Sequence, residues 1–177
     1  MSPSQAPADR PKWWPRVKAS LIDYLVIVAW LLVLTGLSLI VRPFLPAATG
    51  PQDVYLTDLI VFAMTVFPVW LYLTLTEASA AAGTLGKHLA GLRVRSADSG
   101  RAGLARAAAR NAIKLLPWQL GHVAVARFIL GVQFELAIVV DVVAVLLAVA
   151  TVVVAVRDPG RRALHDLIAG TRVVAVR

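Results

Sequence analysis

The sequence predicts an all-α membrane protein: four transmembrane helices, with a short β-paired segment and an amphipathic helix on the cytoplasmic side. Three observations carry this prediction. Hydrophobic residues make up 59% of the 177 positions and charged ones only 16%, far from the balance of an ordinary soluble domain. Apolar runs recur at the length a helix needs to cross the bilayer, ~1.5 Å of rise per residue against ~30 Å of hydrocarbon. Of the 18 Lys and Arg residues, 16 lie before the first run, between the second and third, or after the fourth. The positive-inside rule then places both termini and the middle loop in the cytoplasm, which requires an even number of crossings.

Met1 to Pro15 is rich in Pro, Ser and Ala and reads as a flexible cytoplasmic tail, with residues 16–177 forming one membrane domain. It does not read as a cleavable signal, because the run behind it is too long and contains Asp23. Trp13 and Trp14 stand at the headgroup level, where aromatic side chains anchor a span. The first span covers 17–41 and stops at Arg42-Pro43. The second covers 55–76, with an uncharged core between Asp58 and Glu77. The third, about 112–134, is weak: twelve uncharged residues separate Lys114 from Arg127, and Pro117, Gln119 and His122 lie among them. Such a segment crosses only where other helices shield it from lipid, and a span is favoured here over a re-entrant loop. The fourth, 136–156, is interrupted only by Asp141.

Between the second and third spans, small residues from Ala78 to Gly83 precede an amphipathic piece, Thr84 to Leu92, expected to lie on the membrane surface. Leu92-Arg93-Val94-Arg95 alternates apolar and basic, and Arg172 to Val176 is similarly β-rich. The two are predicted to pair as short strands. Arg101 to Lys114 reads as a basic helix with Arg106, Arg110 and Lys114 on one face, turned towards anionic lipid headgroups.

Several chemistries are excluded or disfavoured. Without cysteine there are no disulfides, thiolate nucleophiles or Cys-based metal sites. The net charge of +8 flanks apolar runs, which points to topology and not to nucleic acid. Gly83-Thr84-Leu85-Gly86-Lys87-His88 is not a phosphate-binding loop: Ala81 stands where the first Gly belongs and His88 where Ser or Thr belongs. Its glycines read instead as permitting a tight chain reversal. His165 and Asp166 are adjacent, so on a helix they diverge by ~100° and cannot chelate together. Asp166 reads as an acceptor for a nearby Arg. Ser20, Ser38, Ser79, Ser96 and Ser99 lack a recognisable base, so the chain does not read as an enzyme, and no metal or cofactor is called for.

Asp23 is the informative residue. A carboxylate inside an apolar span costs about 3 kcal/mol unless it is paired or meets water. Arg16, seven positions earlier, shares its helix face. Asp141 is a second acid, six positions from the outer end of the fourth span. The two acids are either stations on a cation or proton route, or are neutralised locally, Asp23 by Arg16 or Lys18 and Asp141 by Arg127 or His122.

Arg16…Asp23, then Gly83-Thr84-Leu85-Gly86-Lys87 with Gly91-Leu92-Arg93-Val94, and finally His165-Asp166-Leu167-Ile168-Ala169-Gly170-Thr171 resemble the RDD family. These are small bacterial membrane proteins named for one arginine and two aspartates. The resemblance runs from about Arg16 to Val176. It implies that Arg16, Asp23 and Asp166 are the name-giving residues, and it implies transport of ions or other solutes as the usual suggestion. Asp141, His122, Gly86, Lys87 and His165 are secondary candidates. The resulting expectation is a transporter of cations or protons in the bacterial plasma membrane, homo-oligomeric because one four-helix unit encloses little space. The competing expectation is a non-catalytic interaction protein with a basic cytoplasmic face. Asp166 is expected to bond a cation between Lys87 and Arg95, or Arg16 itself, tying the termini and middle loop into one cap.

Overall fold

The first helix already exceeds what a bilayer asks of it. The computed structural model describes residues 12–44, 51–98 and 100–176; of the predicted N-terminal tail, residues 1–11 lie outside these. Helix α1 (Trp13–Val41) is 29 residues long, ~44 Å of rise against ~30 Å of hydrocarbon. Its surplus length packs against polar elements, described below, that gather at one end of the molecule and that we call the cap.

The second span is a continuous rod of three parts: α2 (Pro51–Val61), one π-helical turn (Phe62–Val66) and α3 (Phe67–Ala78). The sequence explains the irregular turn. Pro68 has no N–H to offer the carbonyl four residues back, and its ring crowds that carbonyl. That position is Met64, whose freed carbonyl accepts a hydrogen bond from the Trp30 indole of α1 at 2.9 Å. The π turn thus exposes a backbone acceptor that a neighbouring helix satisfies.

Helix α5 (Gly103–Leu130) merges two elements that the sequence separates, the basic helix and the third span. It ends at Gly131, whose φ of +65° suits glycine, and turns back into α6 (Phe134–Arg157). It packs against α6, α3 and α2. Among the described residues, three helices are long and apolar enough to cross a membrane: Trp13–Phe44, Val54–Ala78 and Phe134–Arg157. They contain the spans predicted at 17–41, 55–76 and 136–156. Helix α5 is as long but more polar, with Arg110, Asn111 and Arg127 buried among Ala107, Leu115 and Ala124.

Most large apolar side chains on α1 and α6 face outwards, a liability in water and the expected state in lipid. Among helices in lipid, close packing and polar pairs must supply the specificity that burial supplies in water. One apolar cluster, Val66, Val69, Leu73 and Leu115, joins α3 to α5. A smaller one, Ala19, Leu92 and Val173, seats α1 on the cap.

The cap contains α4 (Leu85–Leu89), β1 (Leu92–Ser96), α7 (Leu164–Ile168) and β2 (Thr171–Ala175). The strands pair as predicted, and the structure makes the pair antiparallel, with Leu92 opposite Ala175 and Val94 opposite Val173. Leu92, Val94 and Ser96 point inwards while Arg93 and Arg95 do not, following the period of two. The amphipathic piece forms α4, which packs against α1 with Gly86 and Lys87 buried and Leu85 and Leu89 exposed.

Candidate functional site

Asp23 is 5% exposed and meets α4 and its N-cap. Thr84, the N-cap of that helix, donates its hydroxyl to Asp23 Oδ2 at 2.6 Å, and the Gly86 amide donates to Oδ1 at 2.9 Å. Lys87 Nζ stands 3.7 Å from Oδ2. A Cβ at Gly86 would run into the Ala19 carbonyl and the Asp23 carboxylate. Glycine here serves close approach of α1, and not the chain reversal predicted for it.

From Asp23 the charges alternate across four further elements. Lys87 Nζ also lies 2.9 Å from Glu77 Oε1, at the end of α3. Arg110 of α5 donates from Nη1 to both Glu77 oxygens at 2.7 Å, and Asn111 Nδ2 donates to Oε2 at 3.0 Å. Arg110 Nε then donates to Asp166 Oδ1 of α7 at 2.8 Å. Asp166 also accepts from the Thr171 hydroxyl at 3.0 Å and the Ala163 amide at 3.2 Å. Each carboxylate therefore has a cation and neutral donors, the condition under which buried ion pairs are tolerated. Burial alone would raise the Asp166 carboxyl, but Arg110 holds it at about 2. Burial and repulsion from Arg110 push His165 down to about 3, against the pull of Asp166. The ring is then neutral near pH 7, so its 3.8 Å approach to Asp166 is not an ion pair.

Several expectations are corrected here. The direct ion-pair partner of Asp23 is Lys87, not Arg16 or Lys18. Arg16 donates to the carbonyls of Arg161, at 2.6 Å, and Val173, at 3.5 Å. The two side chains share a stripe of α1, but α1 crosses the cap so that one meets the β2 side and the other α4. Asp166 takes its cation from Arg110, not from Lys87 to Arg95 or from Arg16. The cap itself is present, tied by a residue assigned in the sequence to headgroup contact. Arg110 is 3% exposed and so is not turned to headgroups as predicted, whereas Arg106 is exposed and bonds Asp98 and Ser96.

Asp141 on α6 is half-buried and forms no ion pair or hydrogen bond among the described residues. Its predicted neutralisers are engaged elsewhere. Arg127 Nη1 lies 3.0 Å from Asp58 Oδ2 and its Nε donates to Gln133, while His122 Nδ1 lies 2.8 Å from the Trp118 carbonyl.

Between α1 and the α3–α5 pair is a cavity of about 550 Å³, within the range of small-molecule sites. Asp23, Lys87, Arg110 and Lys114 line its polar end, and His122 also faces it. Asp141 does not line it. Glu77, Thr84, Arg110 and Thr171 are the site residues that the sequence reading missed.

The sequence model of the RDD family matches residues 10–170. The chain belongs to the RDD family. No curated protein and no solved structure matches it. The residues to which the resemblance gives the RDD name occupy three joints of the cap. Asp23 fixes α1 to α4, Asp166 fixes α7 to α5, and Arg16 fixes the start of α1 to β2 and the loop after α6. Gly86, Lys87 and His165, from the matched RDD motifs, lie between them.

Proposed function

We propose that this RDD protein is a four-crossing, non-catalytic transporter of cations or protons in the bacterial plasma membrane. In this reading both termini and the cap are cytoplasmic, the cavity holds the solute, and Asp23 is the exchanging carboxylate. The observation that carries it is the arrangement around Lys87, 2.9 Å from Glu77 but 3.7 Å from Asp23. A proton or cation can neutralise Asp23 while Lys87 keeps its counter-charge in Glu77. The same exchange at Glu77 would take a shared counter-charge from both Lys87 and Arg110, and at Asp166 it would oppose a 2.8 Å bond from Arg110, closer than the 3.7 Å approach of Lys87 to Asp23.

The fourth crossing is supported by two rungs between α5 and the second span. Arg110 bonds Glu77, and Arg127 bonds Asp58. Along α5 the two arginines are ~26 Å apart by helix rise, and the two acids are ~28 Å apart along their rod. Helix α5 therefore runs beside the second span for its whole thickness and crosses wherever that span crosses. A single chain already encloses the cavity, so transport does not depend on the expected homo-oligomer.

The test is reconstitution in liposomes with a pH-sensitive dye and imposed Na⁺, K⁺ or Li⁺ gradients. Cation-driven proton flux is expected, and Asp23→Asn should abolish it while keeping the fold. Absence of flux under every gradient would overturn transport. It would favour a second reading, a scaffold that recruits partners or anionic lipid through the exposed Lys12, Lys18, Arg101 and Arg157.

A further inference from the structure

The cavity suits a bare metal ion poorly. Its walls away from the cap are formed by Ile27, Leu31, Val66, Val69 and Leu115, whose side chains offer no oxygen. The hydroxyl of Thr65, which also lines it, donates to the Val61 carbonyl at 2.6 Å. At the polar end both Asp23 oxygens already accept, one from Thr84 and one from the Gly86 amide. A hard cation stripped of its water needs a shell of about six oxygens. Among the described residues no such shell surrounds Asp23. A metal ion that kept its water would press that water against hydrocarbon, where polar groups find no partner. A cation whose outer shell is carbon meets neither difficulty.

The charges permit such a guest. Lys87, Arg110 and Lys114 balance the carboxylates of Asp23, Glu77 and Asp166, with Lys114 interacting with both Glu77 and Asp23. A proton on Asp23 and a monovalent cation beside it bring this set to the same charge, so one can replace the other. Aromatic rings complete the fit. Tyr24 and Trp118, which line the cavity, have ring centroids 6.0 Å apart. Trp13, also in the lining, already carries the Arg161 guanidinium 5.0 Å from its ring centroid. Such rings attract organic cations, and quaternary ammonium groups in particular. A volume of about 550 Å³ far exceeds a metal ion and falls in the range of small-molecule sites.

We propose that the solute is a monovalent organic cation with an apolar or aromatic body, its charge beside Asp23 and its body between Tyr24, Trp118 and the apolar wall. The proposal rests on the transport reading above and names its substrate class. The cavity prefers this cation to Na⁺, K⁺ or Li⁺, and a proton on Asp23 displaces it.

The experiment is proton flux in liposomes holding the full chain, driven by gradients of Na⁺, tetramethylammonium or benzyltrimethylammonium. These share one charge and differ in apolar body. Half-maximal flux should need roughly tenfold less benzyltrimethylammonium than Na⁺, the effect of burying ~55 Å² of apolar surface, with tetramethylammonium between them. Trp118→Leu should raise the benzyltrimethylammonium value roughly threefold, the loss of one ring contact, and Trp118→Phe should raise it less. Lys18→Gln, on the exposed surface, should leave it unchanged. In detergent, the parent chain should bind benzyltrimethylammonium, followed by tryptophan fluorescence, and Asp23→Asn should bind it at least roughly tenfold more weakly. Half-maximal flux at no more Na⁺ than benzyltrimethylammonium would overturn the inference and leave transport standing. Equal binding by Asp23→Asn and the parent chain would overturn it as well. Absence of flux with all three cations would overturn transport and the inference together.

Discussion

Two arginines join α5 to the second span, and they do so in different company. At the cap, Arg110 meets Glu77, whose side chain is 0% exposed, and the bond continues to Asp166, Lys87 and Asp23 on other elements. At the opposite end, Arg127 meets Asp58, 19% exposed, with Gln133 and Tyr55 completing a local clasp. The chemistry is the same. What differs is how many elements converge on the cation and how far its partners are from water. One arginine is a hub whose loss uncouples a whole domain end, and the other is a clasp between two helices and a loop.

The largest expected effect follows from breaking the hub. Arg110→Met leaves buried Asp166 without its cation and Glu77 with Lys87 alone, and should cost about 3–5 kcal/mol, seen as failed assembly or a large fall in Tm in detergent. Arg127→Met should cost less, about 1–3 kcal/mol, because water can reach Asp58. Equal losses from the two variants would erase the distinction between hub and clasp.

Acid should sharpen the comparison further. His165 titrates near 6.5 when unfolded but near 3 when folded, so between these values the unfolded chain holds more protons. Stability should therefore fall as pH drops from 6.5 towards 3, by up to about 1.4 kcal/mol per unit. Asp166, held at about 2, adds to the loss below its unfolded value of 3.8. Its contribution is present above 3.8 and disappears as pH falls through 2. His165→Asn should flatten the upper part of this profile, while Arg127→Met should leave its slope unchanged. Thermal melts between pH 7 and 4.5 check both.

Much of this architecture was legible in the residues. Run length and charge placement located the apolar helices, and the alternation in Leu92 to Arg95 with the β-rich Arg172 to Val176 gave the strand pair. Asp23 and Asp166 were also legible as buried acids in need of donors. Their partners were not. Periodicity tells which face a residue occupies but not which helix that face meets, so Arg16 was assigned to Asp23 when Lys87 holds it. Arg110 lay on a basic stripe and read as a lipid contact, since nothing local says that α5 begins at Gly103 and passes beneath the cap. Glu77 read as the end of a span. A signal was present: Asn111 beside Arg110 places an amide and a guanidinium where a terminal carboxylate needs both.

The π turn at Phe62–Val66 has a consequence for the phase of the second span. Asp58 and Glu77 are 19 positions apart, and in an unbroken α-helix advancing about 100° per residue they would point about 100° away from each other. A π turn accommodates one additional residue, so the two acids stand as if 18 positions apart, five complete revolutions. Pro68 and the turn it imposes thus act as a rotary offset, aligning both acids towards α5. Deleting one residue from this turn would leave an unbroken α-helix with its two acids still in phase, whereas straightening the turn without a deletion would rotate one of them about 100° away from α5.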